Sequence, residues 1–136
     1  MLEEKRREEC DLSIIVPCLN EAENVEQVVE NILTVIDKIP NCTSEIIVID
    51  DQSEDETFEV AFNFINKRNV SDRVHLLKRQ LKRRGYGAVV RHGVAHAYGR
   101  YAIFVSADMV IRWMKNPVSA DKYKPENYFR KESTIF

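Results

Sequence analysis

The chain has 136 residues, of which 44% are hydrophobic and 31% charged, which suits one folded domain and excludes a disordered segment. Its formal net charge of −2 lacks the basic excess of a dedicated nucleic-acid binder. Three scattered cysteines, Cys10, Cys18 and Cys42, make neither a disulfide framework nor a zinc site, and they read as reduced thiols.

Residues 1–11 form a charged N-terminal tail, with no apolar stretch of the signal-peptide kind behind Glu3 to Glu9. Leu12-Ser13-Ile14-Ile15-Val16 is a nearly continuous apolar run ended by Pro17, which reads as a strand buried on both faces. Asn20 and Glu23 have the spacing of a capping box, and Val25, Val28, Val29, Ile32 and Ile36 follow at helical spacing. Pro40 and Asn41 close that helix. Ile46-Ile47-Val48-Ile49 predicts a second buried strand, ending in Asp50-Asp51. Ser53 and Glu56 suggest another capping box, before a helix with Phe58, Ala61, Phe62 and Ile65 as its apolar stripe. Val74 to Leu77 is a weaker third strand. A helix with Val89, Val90, Gly93, Val94 and Ala97 on one face comes next, although Gly93 weakens its propensity. Tyr101 to Val105 is a fourth strand, ending at Ser106-Ala107-Asp108.

This alternation predicts an α/β fold: a mainly parallel open sheet with flanking helices over residues 12–111. Right-handed crossovers gather the carboxyl ends of the strands on one side, where such sheets bind ligands. Residues 112–136 form a basic, aromatic tail of no clear period, with Trp113, Tyr123, Tyr128 and Phe129 among Arg112, Lys115, Lys122, Lys124, Arg130 and Lys131. Its composition suits peripheral contact with a membrane surface. No apolar run approaches the ~20 residues of a membrane helix, so the reading is a cytoplasmic protein, membrane-peripheral at most.

The polar residues that carry chemistry stand where strands end. Acids there, at Glu21, Asp50, Asp51 and Asp108, repel one another unless donors or a cation sit among them. A nucleotide base and ribose offer donors, and a divalent cation on a diphosphate needs oxygen ligands. The stretch Lys78 to Arg84 contains no acid and precedes Gly85-Tyr86-Gly87. Each of its basic residues alone reads as solvated, whereas together they suit a diphosphate. Gly-x-Gly-x-x-Gly is missing after the first strand, so this is no dinucleotide fingerprint. His92 and His96 are one helical turn apart, but they lack the neighbouring Glu and third ligand of a zinc site.

Taken together, the motifs resemble family-2 glycosyltransferases, most closely the polyprenyl- and dolichyl-phosphate sugar transferases. The resemblance rests on Leu12 to Asn24, on Glu45 to Thr57 with its Asp-Asp-Gln-Ser-Glu-Asp-Glu-Thr ending, on Arg84 to Gly93, and on Ser106-Ala107-Asp108. It implies a Rossmann-like GT-A nucleotide-sugar-binding domain, here its N-terminal donor-binding part. The implied activity is transfer of a hexose from a UDP- or GDP-sugar, with a polyprenyl phosphate as candidate acceptor. Pro17, Leu19, Glu21, Asp50 and Asp51 are then implied at the base and ribose. Gly85 and Gly87, with Arg84 and Arg91, are implied around the donor. Asp108, with Ser106, is implied as ligand of a divalent metal, Mg or Mn.

Three departures qualify the match. Gln52 stands where the family has Gly, so the turn after Asp51 must avoid positive φ or bear a strain. Ser106 replaces the first acid of Asp-x-Asp with a neutral hydroxyl. Residues 109–136 match neither the acceptor region nor the catalytic base of the family. The alternative expectation is therefore a truncated or degenerate fragment that binds nucleotide without catalysis. The residues leave the base, the sugar and the oligomeric state open.

Overall fold

The computed structural model of the chain describes residues 9–80, 85–108 and 128–130. Strands β1 (Cys10–Cys18), β2 (Ser44–Asp50), β3 (Val74–Lys78), β4 (Gly99–Phe104) and β5 (Tyr128–Arg130) make one sheet in the order β3-β2-β1-β4-β5. β1 runs parallel to β2 and β4, β2 runs parallel to β3, and β5 is antiparallel to β4. The mainly parallel sheet is as the sequence predicts. The strand Tyr128–Arg130 is not, because it is only three residues long and local period carries no sign of its pairing with β4, 25 to 29 residues earlier. β1 starts at Cys10 and β4 at Gly99, each two residues earlier than the hydrophobic pattern suggests.

Helices α1 (Val25–Ile36) and α2 (Thr57–Arg68) pack on one face, and α3 (Tyr86–His96) packs on the other. Handedness explains this split. The crossovers β1-α1-β2 and β2-α2-β3 step one way across the sheet, and β3-α3-β4 steps back past β1. Right-handed connections must then put α3 on the opposite face.

Both faces are therefore covered over β1 and β2. Ile14, Val16, Ile46 and Val48 point to α1 and α2, while Ile15, Ile47 and Ile49 point to α3. This is why the strands read as unbroken apolar runs. Polar groups inside the sheet are paired. The Ser13 hydroxyl donates to Glu45 Oε1 at 2.7 Å, and the Gly99 and Tyr98 amides donate to Ser13 Oγ and Glu45 Oε1, each at 2.8 Å. His75 Nε2 lies 3.4 Å from Glu45 Oε2.

Two sequence expectations fail at the helix starts. α1 begins at Val25 after Asn24, and α2 at Thr57 after Glu56, and neither capping residue makes a side-chain cap bond. Asn20 and Ser53 bond each other's loops instead of capping, so neither predicted box forms. In α2 the buried residues are Thr57, Ala61 and Ile65, while Phe62 is 52% exposed. Phe62 stacks on Phe58 at 6.5 Å, and Lys78 Nζ sits 5.2 Å from the centre of the Phe58 ring.

Gly93, a weak helix former, is required by packing. A Cβ there would lie 2.5 Å from Ile15 Cγ2 and 3.0 Å from Ile49 Cδ1. Gly93→Ala should therefore destabilise the fold by about 1–3 kcal/mol despite its better helix propensity. Urea unfolding checks this, and an unchanged midpoint would contradict the close approach.

Candidate functional site

The site begins where β1 and β4 part. Their pairing ends at Ile15 and Phe104, and the Val105 amide still donates to Ile15 O at 2.9 Å. Alternation points residue 17 to that same side, where the neighbouring strand has left. A proline is tolerated there, since the amide hydrogen it lacks has no strand to meet. Cys18 points the other way, and its carbonyl accepts from the Asp51 amide at 2.9 Å. The reversal of strand order thus opens a crevice at the carboxyl rim, the usual ligand position in open α/β sheets.

A cleft of about 320 Å³ occupies this rim, lined by Pro17, Cys18, Leu19, Glu21, Asp51, Gly85, Tyr86, Val89, Ser106 and Asp108. Seven of these are sequence candidates: Pro17, Leu19, Glu21, Asp51, Gly85, Ser106 and Asp108. They come from four segments separated by whole helices. Asp50, Gly87 and Arg91 do not line the cleft. Asp50 is buried behind it, and its Oδ1 accepts from the Ser53 amide at 3.2 Å. Arg84 and the tail 112–136, apart from Tyr128–Arg130, lie outside the described residues.

Sequence reasoning missed Arg79. It belongs to a basic run whose members each read as solvated, yet its side chain is 1% exposed. Its amide donates to Asp50 O at 2.9 Å, which carries the chain one step beyond β3. Its Nε donates to Asp51 Oδ1 at 2.7 Å, and Asp51 is itself 8% exposed. The only signal for this was position, two residues past the predicted third strand and beside the acidic end of the second. The pair fixes the Asp51 carboxylate and balances one of the three acids on the cleft. Glu21 is held too, since its Oε2 accepts from Asn24 Nδ2 at 3.0 Å.

Backbone strain appears where the sequence warns of it. Gln52 has φ 61°, the left-handed region that glycine adopts freely. Gly85, at the start of α3, has φ 135°, a value that L side chains rarely adopt. Gly87 has open space around its Cβ position, so nothing among the described residues demands a glycine there. Gln52→Gly should relieve the turn after Asp51 and raise stability by up to about 1 kcal/mol. A lowered melting temperature would show that the Gln52 side chain contributes more than its backbone costs.

Titration separates the thiols and histidines. Burial first, then the charges of Glu21 and Asp50, push the Cys18 thiol up to about 12. Burial likewise raises Cys10. His92 is held below the ordinary histidine range by burial first, then by His96 and Arg79. Its ring lies 4.5 Å from that of His96, whose Nδ1 is 2.8 Å from His92 O. Among the described residues, no three of His, Cys, Asp and Glu form a group that could hold a metal. At pH 7.5 alkylation should reach Cys42 well before Cys18, whose thiolate is scarce and whose sulfur is buried. Mass spectrometry of the labelled native protein checks this order, and rapid Cys18 labelling would contradict the packed rim.

Residues 13–114 match the model of Glycosyl transferase family 2, and the chain belongs to that family. It is 34% identical over 102 residues to a dolichyl-phosphate beta-glucosyltransferase of Drosophila melanogaster, covering 72% of this chain and 31% of the relative. The human protein of the same name is 34% identical over 101 residues, with 71% and 31% covered. The chain thus spans about a third of the length of these relatives. Among solved structures, a mannosyltransferase from Pyrobaculum calidifontis in complex with GDP-Man and Mn2+ superposes with TM-score 0.62 at 25% identity. That match covers 74% of this chain and 28% of the other. S. aureus TarS, in complex with UDP, shares the fold with TM-score 0.58 at 23% identity, over 72% of this chain and 27% of its own.

Proposed function

We propose that this member of glycosyl transferase family 2 holds a nucleoside diphosphate sugar in the rim cleft and passes the hexose to a lipid phosphate. The observation that carries the proposal is the cleft itself, where seven residues of the family motifs converge at the point of strand reversal. The relatives' names supply the acceptor class, a dolichyl-type phosphate, and a glucosyl donor. The Pyrobaculum complex supports a nucleotide sugar with a divalent metal. A lipid acceptor calls for work at a membrane surface, and the cytoplasmic side belongs to this proposal. No helix among the described residues is long and apolar enough to cross one.

The residues have distinct tasks in this reading. Asp51 accepts a hydrogen bond from the base, with its carboxylate aimed by Arg79. Pro17, Leu19 and Glu21 border the base and ribose. The amino end of α3, at Gly85, faces the diphosphate with its unpaired amides. Ser106 and Asp108 stand together on the cleft and offer a hydroxyl and a carboxylate, oxygen donors suited to Mg2+ or Mn2+. They are too few to hold such an ion alone, so the diphosphate oxygens complete the set. When bound, the metal offsets charge on the departing nucleoside diphosphate. The cleft walls orient the sugar's anomeric carbon toward the acceptor.

Calorimetry with UDP, GDP, UDP-glucose and GDP-mannose, with and without MnCl2, tests this. Metal-dependent binding of one of these donors is expected. Asp108→Asn should weaken it by about tenfold or more, as loss of a charge-assisted contact does. No binding at millimolar donor sinks the proposal. Binding with no transfer to a polyprenyl phosphate by the full-length protein leaves only the nucleotide-binding half of it.

A further inference from the structure

The segment between β1 and α1 carries Leu19 and Glu21 into the cleft. Its own bonds lie at its α1 end, where the Asn24 amide and Nδ2 donate to Glu21 O and Oε2, each at 3.0 Å. Three successive amides point out of the segment to the start of α2 and the loop that precedes it. Asn20 N donates to Ser53 Oγ at 2.9 Å, Glu21 N to Thr57 Oγ1 at 2.9 Å, and Ala22 N to Asp55 Oδ2 at 3.3 Å. In return the Glu54 amide donates to Asn20 Oδ1 at 2.9 Å. The partners are 33 to 36 residues apart in sequence. Asn20 sits at φ 53°, a conformation that asparagine tolerates better than most side chains.

Thr57 is the hub. Its side chain is buried, 1% exposed, and it does not line the cleft. Its hydroxyl accepts from Glu21 N and donates to Asp55 Oδ1, and its amide donates to that same oxygen at 3.0 Å. Asp55 therefore uses both oxygens, one within its own loop and one across to Ala22. These bonds, with the Thr57 hydroxyl first, hold the Asp55 carboxyl below the ordinary range. Starting α2 needs only the local bond; the contacts to Glu21 and Ala22 shape the other loop.

We propose that Thr57 and Asp55 are positioning residues for ligand binding, a clasp that sets the path of residues 20–22 and so the placing of Leu19 and Glu21. The functional part rests on the reading of the cleft as the donor site. The clasp makes nucleotide affinity depend on a hydroxyl that touches no ligand.

The test combines amide hydrogen exchange of the unliganded protein with calorimetry using UDP and GDP. Thr57→Val keeps the shape and removes the hydroxyl. It should speed exchange at Glu21 and weaken nucleotide binding, each by about tenfold, the usual scale of one lost buried hydrogen bond. Thr57→Ser should restore both to within about twofold of the parent. Asp55→Asn keeps one acceptor oxygen and should speed exchange mainly at Ala22; it carries the test if Thr57→Val does not fold. A lowered melting temperature with parental exchange and affinity overturns the proposal, as does a serine variant as impaired as the valine one. Parent protein that binds neither nucleotide overturns the donor-site reading, while the exchange results still judge the clasp.

Discussion

The strand order reverses at β1, and every other feature of the rim follows from that. Two right-handed crossovers build the sheet outward through β2 and β3, and a third returns past β1 to lay down β4. β1 and β4 then part, and their ladder ends with the bond from the Val105 amide to Ile15 O. Pro17 sits at that parting, and the cleft is the space it leaves. Among the described residues the same reversal leaves α3 the one helix on its face, so the amino end of that helix meets the ends of two strands.

Charge at the rim follows a second constraint. Three acids line one cleft, and Asp51 is nearly buried. A buried carboxylate without a partner costs several kcal/mol, so Arg79 is drawn in with it. Their 2.7 Å bond ties the end of β2 to the residue after β3. It gives Asp51 one orientation, as the proposed role in recognition requires.

The sequence showed a good deal of this, for physical reasons that differ by level. The parallel strands were legible because burial on both faces leaves no polar alternation in Ile46 to Ile49. The rim acids were legible because Asp50-Asp51 directly follow one apolar run and Asp108 stands three residues past the end of another. The helix starts were misread because capping boxes are local patterns, whereas Ser53 Oγ accepts from the Asn20 amide and Asn20 Oδ1 from the Glu54 amide, across 33 and 34 residues. Arg79 was misread because a run of cations looks uniform until the sheet register gives one of them a buried neighbour. β5 was invisible because a three-residue strand has no period, and its pairing with β4 is set by the rest of the sheet.

Gly93 joins the core to the rim in one further way. Lacking a side chain, it sets how near α3 can lie to Ile15 and Ile49. Tyr86 and Val89 belong to the same rigid helix and form one wall of the cleft. The breadth of the cleft is therefore gauged by a residue that never faces it. A methyl group added at that spacer would push the wall outward like a shim under a hinge. The dimensions of the cleft and the packing of the hydrophobic interior are, along α3, a single mechanical quantity.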